Sequence, residues 1–355
     1  MTRSFVSVLI DTYNHESFIE QAIVSALEQD FPAADREIIV VDDGSTDRTP
    51  EIVKTFEPHV RLLRKENGGQ ASAFNAGIPE CKGEIVAFLD GDDWWAPEKL
   101  QAVAEAMASD SSIGLVGHGI TEVFPDGGQH VQLLKEVPRF RIDSETGARA
   151  FRLRKSFLGT SRMTLRAAVL RLIGAVPEAL TIEADEYLFT LAAFLCDVSI
   201  LRESLAYYRL HGGNAFQVTN GNKQSLRRKQ RVLKCLAKLL AKELEAQQLD
   251  ERVTRLTVES IETEAELIRL TLDLGLPWET VRTELRNQRI MHPDTSVPHW
   301  LFKFLALAPA CVLPSRTYYS LRSSFSKNRM YRKAREKWLP FVQSAHVDDY
   351  RTTRP

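Results

Sequence analysis

With 355 residues and 46 basic against 47 acidic side chains, the chain is long enough for one large or two modest domains, and its balanced charge gives no case for nucleic acid. Its four cysteines, Cys81, Cys196, Cys235 and Cys311, lie far apart with neither zinc spacing nor a disulfide framework, so a reducing compartment, the cytoplasm, is expected. No signal peptide is legible, since Phe5–Ile10 is too short, and no stretch reaches the ~18 apolar residues of a spanning helix.

Phe5–Ile10 (FVSVLI) reads as a buried strand, followed by the polar loop Asp11-Thr12-Tyr13-Asn14. Phe18, Ile19, Ala22, Ile23, Ala26 and Leu27 then recur at helical spacing. Glu37–Val41 (EIIVV) is a second buried strand closed by Asp42-Asp43-Gly44-Ser45-Thr46-Asp47, where Ser45 or Thr46 is placed to start a helix carrying Ile52, Val53 and Phe56. Val60–Leu63 predicts a short third strand, Asn67-Gly68-Gly69 a turn, Gln70–Ile78 a helix and Ile85–Leu89 a fourth strand. Four such alternations in about a hundred residues point to an α/β domain with a largely parallel sheet, whose ligands bind beyond the carboxyl ends of the strands. Three of those ends carry the polar clusters Asp11–Asn14, Asp42–Asp47 and Asp90–Asp93, which would converge on one crevice. No G-x-G-x-x-G follows the first strand and no G-x-x-x-x-G-K-[ST] occurs, so the dinucleotide and P-loop readings fall away.

Lys82–Leu100 (KGEIVAFLDGDDWWAPEKL) organises the rest. Asp90, Asp92 and Asp93 crowd three carboxylates into four positions at the end of an apolar strand. A divalent cation carrying phosphate oxygens, Mg2+ or Mn2+, would account for them. The blander reading is a polar turn with Asp93 capping the helix after Pro97.

Taken in order, VSVLIDTYN, EIIVVDDGSTD, NGGQASAFNAGI, KGEIVAFLDGDD and YYRLHGGN resemble the family 2 glycosyltransferases of the GT-A fold, over residues 4–215. The resemblance implies a nucleotide-sugar donor, UDP-linked by preference, a Mg2+ or Mn2+ cofactor, and inversion at the anomeric carbon. It implies that Tyr13 lies against the nucleobase with Asp11 or Thr12 beside it, that Asp43 accepts a base N–H, and that Asp90 contacts the ribose. Asp92, with Asp93, would hold the metal, and Trp94 and Trp95 would lie near the sugar or pack in the core. Physical chemistry supports these roles: an aromatic ring stacks on a flat base, and a metal neutralises a diphosphate leaving group. The sequence departs from the family pattern at Asp11, where proline is usual, and at Phe74, where a basic residue is common.

An inverting displacement needs one general base. The family's Glu-Asp pair appears here reversed, as Asp185-Glu186 within Thr181–Leu195, and either acid could serve; the bland alternative is acids favouring a helix dipole. In Tyr208–Asn214, His211 is a candidate metal or phosphate ligand, and Arg209 would pair with phosphate or a carboxylate. Ile113–Val123 and His130–Leu134 read as further strands. Arg139, Arg141, Arg149, Arg152, Arg154 and Lys155 make the region after them basic, a solvated surface or the approach of an anionic acceptor.

From Asn222 the composition shifts. A helix rich in lysine and arginine, with Leu226, Leu233, Leu236, Leu240 and Leu244 as its apolar stripe, is followed by one bearing Glu259, Glu262, Glu264 and Glu266, and the pair predicts an antiparallel hairpin with attracting faces. That pairing weakens nucleic-acid binding by the basic helix. Pro277 would open a third helix, Trp278–Ile290. Residues 297–337, apolar around FLALAPACVLPS and then basic, suit an interfacial anchor on the inner face of the cell membrane, or a tail packed on protein or on a second subunit of a homodimer. Residues 344–355 are expected to be disordered.

The expected whole is a GT-A catalytic domain over residues 1–215 with a helical extension over 216–343, acting on a glycan or lipid-linked acceptor in envelope polysaccharide synthesis. Two rivals are a non-catalytic nucleotide-sugar-binding scaffold and a nucleotidyltransferase; DTYNHES lacks the glycine-rich basic loop the latter needs.

Overall fold

The computed structural model describes residues 4–211, 223–272, 275–291, 307–326 and 342–345. Contacts divide the chain into two units, one of Met1–Asp143, Arg154–Gly213 and Phe341–Pro355, the other of Ser144–Leu153 and Asn214–Pro340.

The first unit is built on one mixed sheet. Its parallel part orders as β3 (Arg61–Arg64), β2 (Arg36–Asp42), β1 (Val6–Thr12) and β4 (Ile85–Asp90). The strands form where apolar, β-branched residues run together, because both faces of a parallel sheet are covered. Val6, Val8, Leu9 and Ile10 are each 0% exposed, and each such burial stabilises by about 1.5–3 kcal/mol. On one face, Val6, Val8 and Ile10 pack with Ile19, Ala22, Ile23 and Ala26 of α1 (Ile19–Leu27) and with Leu100 and Val103 of α4 (Lys99–Ser109). The other face takes α3 (Gln70–Gly77), whose Gly77 lies so close to Leu9 and Val41 that a Cβ there would come within 2.4 Å of a Leu9 methyl.

Beyond β4 the sheet continues through β9 (Thr164–Arg166), β6 (Ile113–Val123) and β7 (Gln129–Leu134), each antiparallel to its neighbour. The long strand β10 (Asp197–Arg209) runs parallel to β6 with register shifts, and pairs antiparallel with β5 (Trp94–Trp95) and β8 (Arg139–Phe140). Val342–Ala345 adds a strand, β11, antiparallel to β7, so the sheet reaches two residues into the stretch expected to be disordered. Residues 346–355 lie outside the described residues.

The helix carrying Ile52 and Val53 is α2 (Thr49–Lys54), and it starts later than Ser45 or Thr46. Those two backbone N–H groups donate instead to Asp42 and Asn14, at 3.0 and 2.8 Å, which fixes the turn below the crevice rather than opening a helix. Phe74, at the family's usual basic position, is fully buried, edge-on to Phe88 with ring centroids 5.2 Å apart.

In the second unit, α8 (Lys223–Ala246) and α9 (Glu251–Leu272) form the predicted hairpin. The charge pairing is only partly the expected one. Lys229 meets Glu264 at 2.9 Å, but Glu259 and Glu262 turn to Arg286 of α10 (Pro277–Met291) at 3.1 and 3.2 Å. Of the segment expected at a membrane, the described part folds back on protein: Leu307, Ala310, Tyr318 and Tyr319 cluster with Leu270. Its remainder, with the basic run after Lys327, lies outside the described residues. Among the described residues no helix is long and apolar enough to cross a membrane. Residues 144–153 belong to this unit through α5 (Glu145–Arg154), although they precede most of the first unit's later strands in sequence. The basic stretch from Arg139 to Lys155 does not form one surface: Arg139 is tied to Asp110 and Asp197, each at 2.7 Å, and Lys155 to Glu186.

Candidate active site

Strand register brings the acids together. Asp11 stands opposite Asp90, and Thr12 opposite Asp42, at the carboxyl ends of β1, β4 and β2. The ends are then laced: Gly91 N–H donates to the Asp11 carbonyl and Asp43 N–H to that of Thr12, both at 2.9 Å. Tyr13 follows on the rim, 44% exposed. Next to it, Asn14 adopts φ 55°, and its N–H donates to Ser45 Oγ at 2.8 Å.

Asp43 is buried and held by donors. Lys65 Nζ lies 2.7 Å from Oδ1, while Gly68 N–H donates to Oδ1 at 3.0 Å and Gly69 N–H to Oδ2 at 2.7 Å. This loop needs glycine at Gly69: φ is +85° with ψ 179°, and a Cβ would lie 2.7 Å from the Thr181 backbone. Gln70 carries the connection onward. Its Nε2 donates to Thr160 Oγ1 at 3.1 Å, and its Oε1 accepts from Ala184 N–H at 2.9 Å.

Ala184–Leu195 is helix α7, entered through Glu183 at φ 61°. Its two acids part company. Asp185 Oδ2 accepts the N–H and hydroxyl of Thr160 at 3.0 and 3.1 Å. Its charge adds to the upward push on the Asp11 and Asp90 carboxyls, so the three acids lie near one another. Glu186 is 6% exposed and paired with Lys155.

The acidic motif divides as well. Asp93 is turned inward: Ser161 Oγ donates to it at 2.6 Å and Arg209 N–H at 3.0 Å. Asp92 meets His211 Nε2 at 3.0 Å, with His15 Nε2 at 3.9 Å. His211 lies against Phe18, ring centroids 4.6 Å apart. The Arg209 guanidinium sits over both Phe18 and Trp94, and its Nε donates to the Asp92 carbonyl at 3.0 Å. Trp95 is core, its indole N–H donating to Ser161 O at 2.8 Å, while Trp94 stacks on Tyr207.

Burial, then the neighbouring Asp92, pushes the Asp11 and Asp93 carboxyls well above the usual range; at Asp90 burial and then Asp11 do the same. Burial would raise Asp92 too, but the His211 hydrogen bond and the charge of His15 outweigh it and hold that carboxyl low. The crevice therefore holds more carboxyl groups than can ionise together without a cation. Asp11 Oδ1 is buried and accepts no hydrogen bond. Among the described residues no three-ligand metal cluster is already gathered. Asp92 and His211 offer two donors, and a hard cation normally completes its shell with water and substrate phosphate, so the residues fit Mg2+ or Mn2+.

Sequence reasoning singled out Asp11, Thr12, Tyr13, Asp43, Asp90, Asp92, Asp93, Asp185, Glu186 and His211; the fold sets Asp11, Thr12, Tyr13, Asp43, Asp90, Asp92 and His211 about the carboxyl ends of the strands with Asp185 near them, while Asp93 turns inward and Glu186 is buried against Lys155. That reasoning missed Gln70, Thr160 and Ser161, the groups that orient the acids. No spacing marks them, since the groups they hold lie 25 to 114 residues away in the chain.

Residues 7–171 match the model of a family described as Glycosyl transferase family 2. An uncharacterized glycosyltransferase of Nostoc sp. is 33% identical over 215 residues, 59% of this chain and 66% of the relative. The poly(ribitol-phosphate) beta-N-acetylglucosaminyltransferase TarS of Staphylococcus aureus is 28% identical over 216 residues, 57% of this chain and 35% of the relative. The crystal structure of TarS 1–349 in complex with UDP-GlcNAc has a TM-score of 0.53 at 19% identity, covering 81% of this chain and 89% of that one. The mannosyltransferase PcManGT from Pyrobaculum calidifontis, in complex with GDP-Man and Mn2+, has a TM-score of 0.51 at 19% identity, covering 91% and 85%. At these identities the likeness to solved structures is one of fold. The chain spans less than two thirds of the length of these curated relatives.

Proposed function

Since the chain belongs to glycosyl transferase family 2 through residues 7–171 and has a GT-A fold, we propose that it moves a sugar from a UDP-sugar to a glycan or lipid-linked hydroxyl with inversion. The product would enter envelope polysaccharide. The reading rests on one convergence: Asp11, Asp43, Asp90 and Asp92 close the ends of adjacent strands, and Asp185 lies near them at the start of α7.

Tyr13 stacks on the uracil. Asp43, fixed by the Gly68 and Gly69 N–H groups, accepts the imide N–H, with Asp11 and Thr12 beside the ring. Asp90 takes the ribose. Asp92 and His211 would hold Mg2+ or Mn2+, and Asp93 braces Asp92 through Arg209. The cation's chemistry is to neutralise charge on the departing diphosphate. Asp185 rather than Glu186 is the base. The acceptor oxygen forms its bond to the anomeric carbon, its proton passes to Asp185, and the bond from that carbon to the diphosphate breaks to release UDP. Thr160 holds Asp185 by Oδ2 and the Glu186 N–H holds it by Oδ1, which fixes the carboxylate at the start of α7. The UDP-GlcNAc in the TarS complex and the Mn2+ in the PcManGT complex support this choice of donor and ion.

Calorimetric titration of UDP with and without Mn2+ tests the site. Wild type should bind in a Mn2+-dependent way, and Asp92→Ala should lose that dependence. Equal UDP affinity in all four titrations would sink the assignment.

A further inference from the structure

Within the second unit, α5, α9 and α10 surround a cavity of about 650 Å³. Arginine dominates its wall. α5 contributes Arg149 and Arg152, and α9 contributes Arg252 and Arg255. α10 adds Arg282, Arg286 and Arg289. Glu259 is the one carboxylate among the described lining residues, and Leu256, Leu285 and Ile290 supply apolar surface.

The carboxylates that reach these arginines are few. Glu259 meets Arg152 at 3.7 Å and Arg286 at 3.1 Å, and Glu262 meets Arg286 at 3.2 Å. Glu145 meets Arg252 at 2.8 Å and Arg149 at 3.3 Å. Seven guanidinium groups against three carboxylates leave four positive charges over. Arg255, Arg282 and Arg289 make no ion pair among the described residues. Arg152 is only 4% exposed, and its Nε is buried without a hydrogen-bond partner. Leaving a charge-bearing donor unmade in the interior is costly unless something else completes it.

We propose that this cavity binds a ligand carrying several phosphate groups, with the buried Arg152 Nε donating to one of its oxygens. Guanidinium is the group suited to the task, because its planar fork takes oxyanions two hydrogen bonds at a time, whereas lysine offers a point charge. Phosphate fits better than carboxylate: a phosphate monoester brings about 1.5–2 charges on three oxygens, so two or three of them match the four-charge excess in a small volume. A flat anionic bilayer fits less well, since the arginines come from three helices around a hollow rather than lying along one face. The assignment is independent of the transfer reaction.

The test is calorimetric binding of tripolyphosphate to the full chain in EDTA, where the acidic crevice of the first unit has no cation to admit it. Wild type should bind, more weakly as salt rises. The triple variant Arg255→Gln/Arg282→Gln/Arg289→Gln, built on exposed arginines so that the fold survives, should lose affinity by about tenfold to a hundredfold. Arg152→Lys, which keeps the charge and removes the fork, should also bind less tightly. Unchanged binding in the triple variant would overturn the proposal. So would tighter binding of oligogalacturonate than of tripolyphosphate, or binding to phosphatidylglycerol vesicles alone. The UDP and Mn2+ titration fails or succeeds separately, so the two readings can fall apart from one another.

Discussion

Asp185 and Glu186 are neighbours in sequence with opposite surroundings, and their conservative amides separate chemistry from stability. In Asp185→Asn the amide oxygen can still accept both Thr160 donors. The amide nitrogen replaces Oδ1, which now accepts Glu186 N–H at 2.8 Å, and losing that hydrogen bond costs about 1 kcal/mol. The chemical loss is larger: removing a positioned general base costs roughly 10²–10⁴ in kcat, or about 3–5 kcal/mol of barrier. Glu186→Gln reverses the pattern. Lys155, with its side chain 17% exposed, is left without that counter-charge, which should cost about 1–3 kcal/mol of stability. Its kcat should stay within about threefold, because no proton is routed through it. The assay is release of UDP from UDP-GlcNAc with Mn2+, into water or onto an acceptor, beside urea unfolding of each variant. If Asp185→Asn keeps wild-type kcat while Glu186→Gln is silent, the assignment of the base is wrong.

Tyr13→Ala should weaken UDP binding by about 1–3 kcal/mol, the worth of stacking on one base, and leave urea stability unchanged because the ring is 44% exposed; unchanged affinity would take Tyr13 out of the site. Gly69→Ala forces a side chain into φ +85° against the Thr181 backbone, so unfolding should shift by at least about 1–3 kcal/mol and UDP affinity should fall with the loop that holds Asp43; a neutral substitution would refute the loop's geometry. Burial pushes the Cys196 thiol from 9.0 up to about 12. Below pH 9 the thiol is neutral in both folded and unfolded chains and contributes nothing to the pH dependence. From pH 9 to 12 only the unfolded chain ionises, so wild type should lose about 1.4 kcal/mol per pH unit relative to Cys196→Ala; parallel stability profiles would contradict the burial.

Much of the crevice was legible because it depends on strand ends. An apolar run that stops at an acid, as at Val41–Asp42 and Leu89–Asp90, announces both the strand and its polar terminus, and parallel order then aligns those termini. The choice between Asp185 and Glu186 was not legible, since one turn of helix decides which acid meets Thr160 and which meets Lys155. Asp93 looked equivalent to Asp92 in sequence, yet Ser161 and the Arg209 backbone draw it inward. The acidic helix was matched to its hairpin partner, and Lys229 meets Glu264 there, but periodicity does not say which neighbour each acid meets, and Arg286 and Arg152 meet Glu259. Phe74 departs from the family's basic residue because this chain uses the position to fill the core against Phe88.

The insertion of α5 into the second unit has a consequence for recombination and protein engineering. The chain passes from the first unit to the second at Ser144, returns at Arg154, and leaves again at Asn214. A single cut near residue 215 would strand Ala148 and Phe151, both buried, on a piece stripped of its partners. The two units are thus not interchangeable cassettes, and grafting a different helical part onto this sheet requires replacing residues 144–153 in the same step. By the same logic, homologous exchange of C-terminal segments between relatives should succeed only where α5 travels with them.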